Sequence, residues 1–374
     1  MIPSFLQSCF QCDSPATPSA IPPHAALPVC ALAVVIVIGG LSALSQIDFP
    51  VIQFIRATPV PFLEPFGRIG NQLGHGSTLV ILSGLALLSG YIGKRQKLLF
   101  VGVQSLLAHA LAGLITQIIK HTVGRPRPRL AHQDHWEIGP SFQSGLDAFP
   151  SGHSSASFAV AAVFARHFPR YAWMLYLTAA SVAFSRIIKG SHFPTDACAG
   201  AFIGYVIGTI VSRPLRQWRT TGIDSLVTGL PFFITATGLL WIAVQKPSME
   251  VLYVMISGTG VLVAALGYSV RLRERFAKSR TEQDSHRRLR ISSLFMTMGL
   301  ALCTGSFLII VLSALSGVAW WLAYAHQDEV SEHTALRETT GHALPATAQE
   351  GLLGIGLLLM LGLIYSARGL IPLL

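Results

Sequence analysis

Charge is scarce in this chain. Asp, Glu, Lys and Arg make up only 12% of its 374 residues, about half the share of an ordinary soluble domain. Hydrophobic residues reach 51% and the mean hydropathy is +0.55. So few charges cannot cover a water-soluble surface of this size, which leaves the bilayer as the natural solvent. Acidic residues are scarcer still, giving a net charge of +10. The basic excess sits in short segments between apolar runs, a topology signal that excludes a nucleic-acid-binding face. Cysteine is also rare. Of Cys9, Cys12, Cys30, Cys198 and Cys303, three lie in or beside apolar runs, which excludes a disulfide framework. The C-x-x-C spacing of Cys9 and Cys12 has no second pair and no βαβ context, so it reads as incidental rather than as a metal or redox site. Residues 1–26, rich in Ser, Pro and Ala, read as a tail without fixed structure.

What is there is a series of long apolar runs, each near the roughly 20 residues that span a bilayer. The expected spans are 28–44, 77–93, 98–119, 154–165, 172–188, 197–212, 226–244, 251–270, 291–315 and 351–374. The expected fold is therefore all-α and polytopic. Residues 291–325 contain no Asp, Glu, Lys or Arg and overshoot one bilayer at about 1.5 Å per residue. They read as one span plus an interfacial segment around Trp320 and Trp321, with a re-entrant hairpin near Gly305 or Gly317 as the alternative. Loops 94–97, 166–170, 213–219 and 271–290 hold 16 Lys and Arg. The alternate set, 45–76, 120–153, 186–192, 245–250 and 326–350, holds 10. Six of those ten fall in 120–153 and 186–192, so the first set is expected to face the cytoplasm and the second outward.

Three polar segments meet on that outward face. The first is Lys120-His-Thr-Val-Gly-Arg-Pro-Arg127-Pro128, the second Pro150-Ser151-Gly152-His153, and the third Ser185-Arg186 followed by His192-Phe-Pro-Thr-Asp196. Lys120, Arg127 and Arg186 bring three positive charges, and a guanidinium fork suits phosphate oxygens. Ser151 is placed to cap an apolar helix whose free N–H groups would point at an anion, and Gly152 permits close approach. A phosphoryl group, with more oxygens than a carboxylate, fits that donor set. His192 can attack phosphorus, Asp196 four residues on can orient its ring, and His153 can serve as acid and then base. No carboxylate cluster suited to Mg²⁺ appears on this face, so the chemistry calls for no metal or other cofactor. Singly, each residue has a structural reading: Asp196 as a helix-start charge, Lys120 as a snorkelling anchor, Arg127 as a loop residue. Their joint occurrence on one face carries the functional one.

At these residues the sequence resembles the type 2 phosphatidic acid phosphatase superfamily, which also includes vanadium haloperoxidases and glucose-6-phosphatase. Lys120, Arg127 and Pro128 match its first motif, Pro150 to His153 its second, and Ser185, Arg186, His192 and Asp196 its third, without a departure in spacing. The resemblance implies a phosphohistidine on His192, oriented by Asp196, with His153 as acid and base. It implies that Lys120, Arg127, Ser151, Gly152 and Arg186 bind the phosphate. It also implies a six-helix core, here 27–219, and a lipid phosphate or diphosphate substrate of the undecaprenyl diphosphate, phosphatidate or phosphatidylglycerophosphate type. In a bacterium the site would face the periplasm from the inner membrane.

Residues 220–374 add about four expected spans without any catalytic motif. Within them, loop 271–290 holds eight Lys and Arg, and 326–350 five acidic residues; the former reads as a topology determinant, or as a contact for anionic lipid. His132, Asp134, His135 and Glu137 form a polar patch, read as a hydrated loop, with head-group contact or a metal site as alternatives. Two other functions stay open: phosphoryl transfer to a second lipid or a sugar at the same site, and a non-catalytic lipid transporter or scaffold.

Overall fold

The computed structural model describes residues 23–57, 63–131, 138–213, 217–244, 251–276, 282–324 and 346–367. Cys9 and Cys12, the patch from His132 to Glu137 and most of loop 326–350 lie outside them. Among the described residues there are twelve α-helices and no strand, the all-α class expected. They are α1 Pro23–Ala57, α2 Leu63–Leu73, α3 Gly76–Ile92, α4 Gln96–Val123, α5 Gly152–His167, α6 Ala172–Ile188, α7 Pro194–Val211, α8 Trp218–Val244, α9 Val251–Phe276, α10 Glu282–Cys303, α11 Phe307–Tyr324 and α12 Ala346–Ala367.

Several elements differ from expectation. Among the described residues five helices are long and apolar enough to cross a membrane, six if α2 and α3, bent by 50° at a short break, form one span. The stretch 45–76, expected as a loop, holds the end of α1 and all of α2. Residues 291–325 are neither one span nor one span plus an interfacial tail. The chain breaks between Cys303 and Phe307, where Gly305 takes φ +63°, and two short apolar helices result. The break falls at Gly305, one of the two positions named in the alternative reading; Thr304, Gly305 and Ser306 carry no charge, and a glycine in the left-handed region ends a helix.

The chain forms two compact units, one built from Leu41–Gly229 and the other from Ala20–Gly40 and Leu230–Leu374 where described. In the second, α9 packs on α10, and α10 packs on α11 and α12. In the first, α5 is the central helix, in contact with α3, α4, α6 and α7. At 16 residues α5 is short, but ten of them are buried, mostly Ala, Ser and Val, so it faces protein rather than lipid. The outer helices carry the lipid-facing side chains: Ile81, Leu85 and Leu88 on α3, Leu114 and Ile118 on α4, and Trp173 and Leu177 on α6 are all exposed.

Small residues set how closely α5 and α7 approach. Gly200, Gly204 and Gly208 of α7 recur every fourth position and face the carbonyls of Ser151, Ser155 and Ala159. A stripe of this kind lets two helix backbones meet where lipid supplies no hydrophobic drive. It also brings their N-termini, at Ser151 and Pro194, side by side. We expect Gly204→Val to force the pair apart and lower the thermal midpoint in detergent by several degrees. Gly84→Ala, where a Cβ meets nothing within 4 Å, serves as the neutral control. An unshifted midpoint for Gly204→Val would contradict the close packing.

Candidate active site

Each motif segment sits at a helix end, and local rules put it there. α4 stops where Gly124 adopts φ +59° and donates its N–H to the Lys120 carbonyl at 2.8 Å, a conformation that favours glycine. The chain then turns, and two backbone bonds pin it to the segment before α5: Arg127 N to Gly145 O at 2.8 Å and Ala148 N to Arg125 O at 2.9 Å. Ser151 caps α5 through Oγ, which accepts from Ser154 N at 3.4 Å, while its own N–H donates to the Asp196 carbonyl at 2.9 Å. Between α6 and α7, Gly190 takes φ +61°, and the N–H groups of Ser191 and His192 both return to the Arg186 carbonyl. That tight loop carries His192 inward, 2% exposed.

His192 is held by one strong contact. Its Nδ1 lies 2.8 Å from the carbonyl oxygen of Ala148. A carbonyl only accepts, so Nδ1 carries the proton and Nε2 keeps the lone pair. Asp196, expected to make this bond itself, lies 3.7 Å from Nδ1. Its oxygens are engaged elsewhere: Oδ2 accepts from Phe193 N at 2.8 Å and Oδ1 from Arg125 at 2.6 Å. Asp196 therefore acts on His192 as a nearby charge, and it is also a helix-start charge of α7. Burial lowers the His192 imidazole below its ordinary 6.5; the Asp196 carboxylate pulls the other way, while Lys120 and Arg186 add to the lowering.

The cations gather around it. Lys120 donates Nζ to the Asp147 carbonyl oxygen at 2.5 Å and lies 3.6 Å from its carboxylate. Arg127 forms a two-pronged pair with that carboxylate, Nε at 2.8 Å and Nη2 at 2.6 Å. Burial works to raise the Asp147 carboxyl, but the Arg127 bonds and the Lys120 charge outweigh it and hold it at about 2. Arg186 bonds the amide oxygen of Asn71. His153, at the start of α5, feels the charges of Arg186, His192 and Lys120. Its ring stands edge-on to that of His75 at 6.1 Å, and its buried Nε2 has no hydrogen-bond partner among the described residues. All eight expected site residues thus lie at the same end of the first unit.

Five residues of the site have no place in the expected motifs: Asp48, Asn71, His75, Arg125 and Asp147. Arg125 is 4% exposed and bridges two carboxylates, Nη2 to Asp48 at 2.6 Å and Nη1 to Asp196 at 2.6 Å. Asp48 also accepts from the Thr195 N–H at 3.0 Å and hydroxyl at 2.7 Å, and the guanidinium lies over the Phe193 ring. This buried network ties α1 to the start of α7.

Residues 102–219 match the family profile of the PAP2 superfamily. That match takes in all three motif segments. The chain is 32% identical over 159 residues to a lipid A 1-phosphatase of Rhizobium johnstonii, covering 39% of this chain and 65% of that one. It is 28% identical over 127 residues to an undecaprenyl-diphosphatase of Bacillus subtilis, covering 34% and 62%. It thus spans just under two thirds of either relative's length. A crystal structure of a PAP2 type phosphatidylglycerolphosphate phosphatase from Bacillus subtilis aligns at 23% identity and a TM-score of 0.39, covering 49% of this chain and 93% of that one.

Removing one partner from a buried ion pair leaves an uncompensated charge and costs about 3–5 kcal/mol. Arg125→Met strands Asp48 and Asp196 in that way. We expect it to lose most of its folded population in detergent by thermal or denaturant unfolding, and near-unchanged stability would show that the network is dispensable.

Proposed function

We propose that this PAP2-superfamily protein is a membrane-embedded phosphatase that hydrolyses a lipid phosphate or diphosphate through a phosphohistidine on His192. The observation that carries this reading is the Nδ1 contact to Ala148, which leaves the lone pair of a buried imidazole on Nε2 beside Lys120 and Arg186. The names of the relatives, a lipid A 1-phosphatase and an undecaprenyl-diphosphatase, support the substrate class.

In the reaction, the phosphoryl group takes the place where positive charge converges. Asp147 occupies Nε and one Nη of Arg127, so the other Nη, Lys120, Arg186 and the N–H groups at the start of α5 are left to bind oxygens. Nε2 of His192 attacks phosphorus as the bond to the leaving lipid oxygen breaks. His153, protonated on the nitrogen that lacks a partner, gives that oxygen its proton. His153, now neutral, takes a proton from water, whose oxygen attacks the phosphohistidine; phosphate leaves and His192 regains its lone pair. Asp196 and the fixed cations stabilise charge throughout. No step needs a metal ion. We place the site on the outer face of the cytoplasmic membrane, from the bias of Lys and Arg toward the opposite loops. Transfer to a second lipid or a sugar differs only in the acceptor that reaches the phosphohistidine: with one labelled lipid phosphate, free phosphate marks hydrolysis and a newly labelled lipid or sugar marks transfer.

Phosphate release from a panel of purified lipid phosphates in detergent tests the reading. His192→Ala should abolish release while the protein still accumulates folded in membranes, and turnover by that variant would remove the nucleophile. EDTA should leave the rate intact, and strict Mg²⁺ dependence would contradict the mechanism. Because burial lowers the His192 pKa, acid should remove the nucleophile only below pH 6.5; an acid limb of kcat/KM assigned to this residue above that value would contradict the assignment.

A further inference from the structure

Beside the catalytic cations, and sharing Arg127 with them, lies a cavity of 290 Å³. Four cationic side chains line it: Arg56 from the end of α1, Arg127 and Arg129 from the turn after α4, and Lys189 from the loop after α6. Among the described residues no carboxylate lines it. Arg127 is balanced by Asp147, whereas Arg56, Arg129 and Lys189 make no ion pair with a described carboxylate. The wall is built rather than accidental, since Arg56 Nη2 donates to the Pro128 carbonyl at 3.1 Å and ties α1 to the turn carrying Arg127 and Arg129.

Like charges gathered at one cavity repel, and these four stand on the side of the membrane that the charge bias leaves poor in Lys and Arg. An anion offsets both effects. The cavity touches the reacting centre twice, through Arg127 and through Ser191, the neighbour of His192. Isoleucines, Ile52 and Ile187 among them, cover the rest of the wall, which suits a phosphate attached to a lipid better than a fully hydrated ion.

We propose that this cavity is a second anion subsite that takes another phosphate group of the same lipid substrate, so that lipids with two phosphates are preferred over lipids with one. The two phosphates are adjacent, as in a diphosphate, or at separate positions of one head group. The proposal rests on the reading of His192 as the phosphoryl-transfer centre, and its test does not require turnover.

The full chain in detergent is titrated by calorimetry with inorganic phosphate, with inorganic pyrophosphate and with fructose 1,6-bisphosphate, the last two standing for adjacent and separated phosphates. At least one of the two-phosphate probes should bind about tenfold more tightly than phosphate. Arg56→Gln, Arg129→Gln and Lys189→Gln together should erase that margin. All three side chains are exposed, and the single variants report the same margin if the triple variant accumulates poorly. No margin for either probe, or a margin that survives the substitutions, overturns the subsite. If the margin is present and lost as expected while no lipid phosphate is hydrolysed, the subsite stands and the catalytic reading falls. Kinetics give a second readout: the triple variant should raise KM for a lipid diphosphate about tenfold more than for the matching monophosphate. An equal rise for both, as general attraction to an anionic surface would give, also overturns the proposal.

Discussion

One hydrogen bond decides the chemistry available at this site: Nδ1 of His192 to the carbonyl oxygen of Ala148. It fixes the tautomer, and with it which nitrogen can attack. Everything that places Ala148 therefore acts on the His192 ring. Its own N–H is bonded to the Arg125 carbonyl, and the Arg125 side chain is locked between Asp48 and Asp196. The start of α7, with Asp196, is pressed onto Ser151 by the glycine stripe. A backbone carbonyl thus holds the ring that a carboxylate was expected to hold, while the carboxylates anchor the frame around it. This division suits a buried site, since a carbonyl orients the imidazole without adding a second full charge to be desolvated.

Charge is scarce in the chain, yet eight Lys and Arg fall in the segments 45–76, 120–153 and 186–192: Arg56, Arg68, Lys120, Arg125, Arg127, Arg129, Arg186 and Lys189. They fall into two kinds. Arg125 and Arg127 are held by carboxylates, so they shape the site more than they add net charge. Lys120 stands 3.6 Å from Asp147 and Arg68 3.6 Å from Glu64, while Arg56, Arg129, Arg186 and Lys189 leave a positive excess. Asp147 marks the boundary between the kinds. It keeps Lys120 and Arg127 in place without a substrate, and its carboxylate stays ionised down to about pH 2, so the clamp persists at any physiological pH. That contribution to stability is complete above the ordinary carboxylate range and is lost only as pH falls through about 2.

The motif residues were legible in the sequence because their spacing is fixed relative to apolar runs, and parity alone placed them on one face. Most single helices were legible too: 172–188 was expected and found without change. What was not legible divides by physical cause. α2 was missed because its polar, amphipathic residues, such as Glu64, Arg68 and Asn71, lack the apolar run that marks a span. The break at Gly305 was legible only as an alternative, because the stretch around it is uncharged and hydropathy runs through it. Asp48 left a signal that spacing arguments passed over, as the one charged residue between 27 and 55; a lone ionisable group in an apolar span invites a search for its partner. Asp147, the one charged residue between 138 and 152, left the same mark. Arg125 was masked by Arg127, because two Arg-Pro pairs in a row give no hint of which guanidinium turns inward.

The phosphorylated protein carries the decisive observation. Trapped with a labelled lipid phosphate in a His153→Ala background and examined by ³¹P–¹⁵N NMR, it reports which imidazole nitrogen bears the phosphorus. Attachment to Nε2 of His192 is the predicted result. Phosphorus on Nδ1, or on any other side chain, would contradict it.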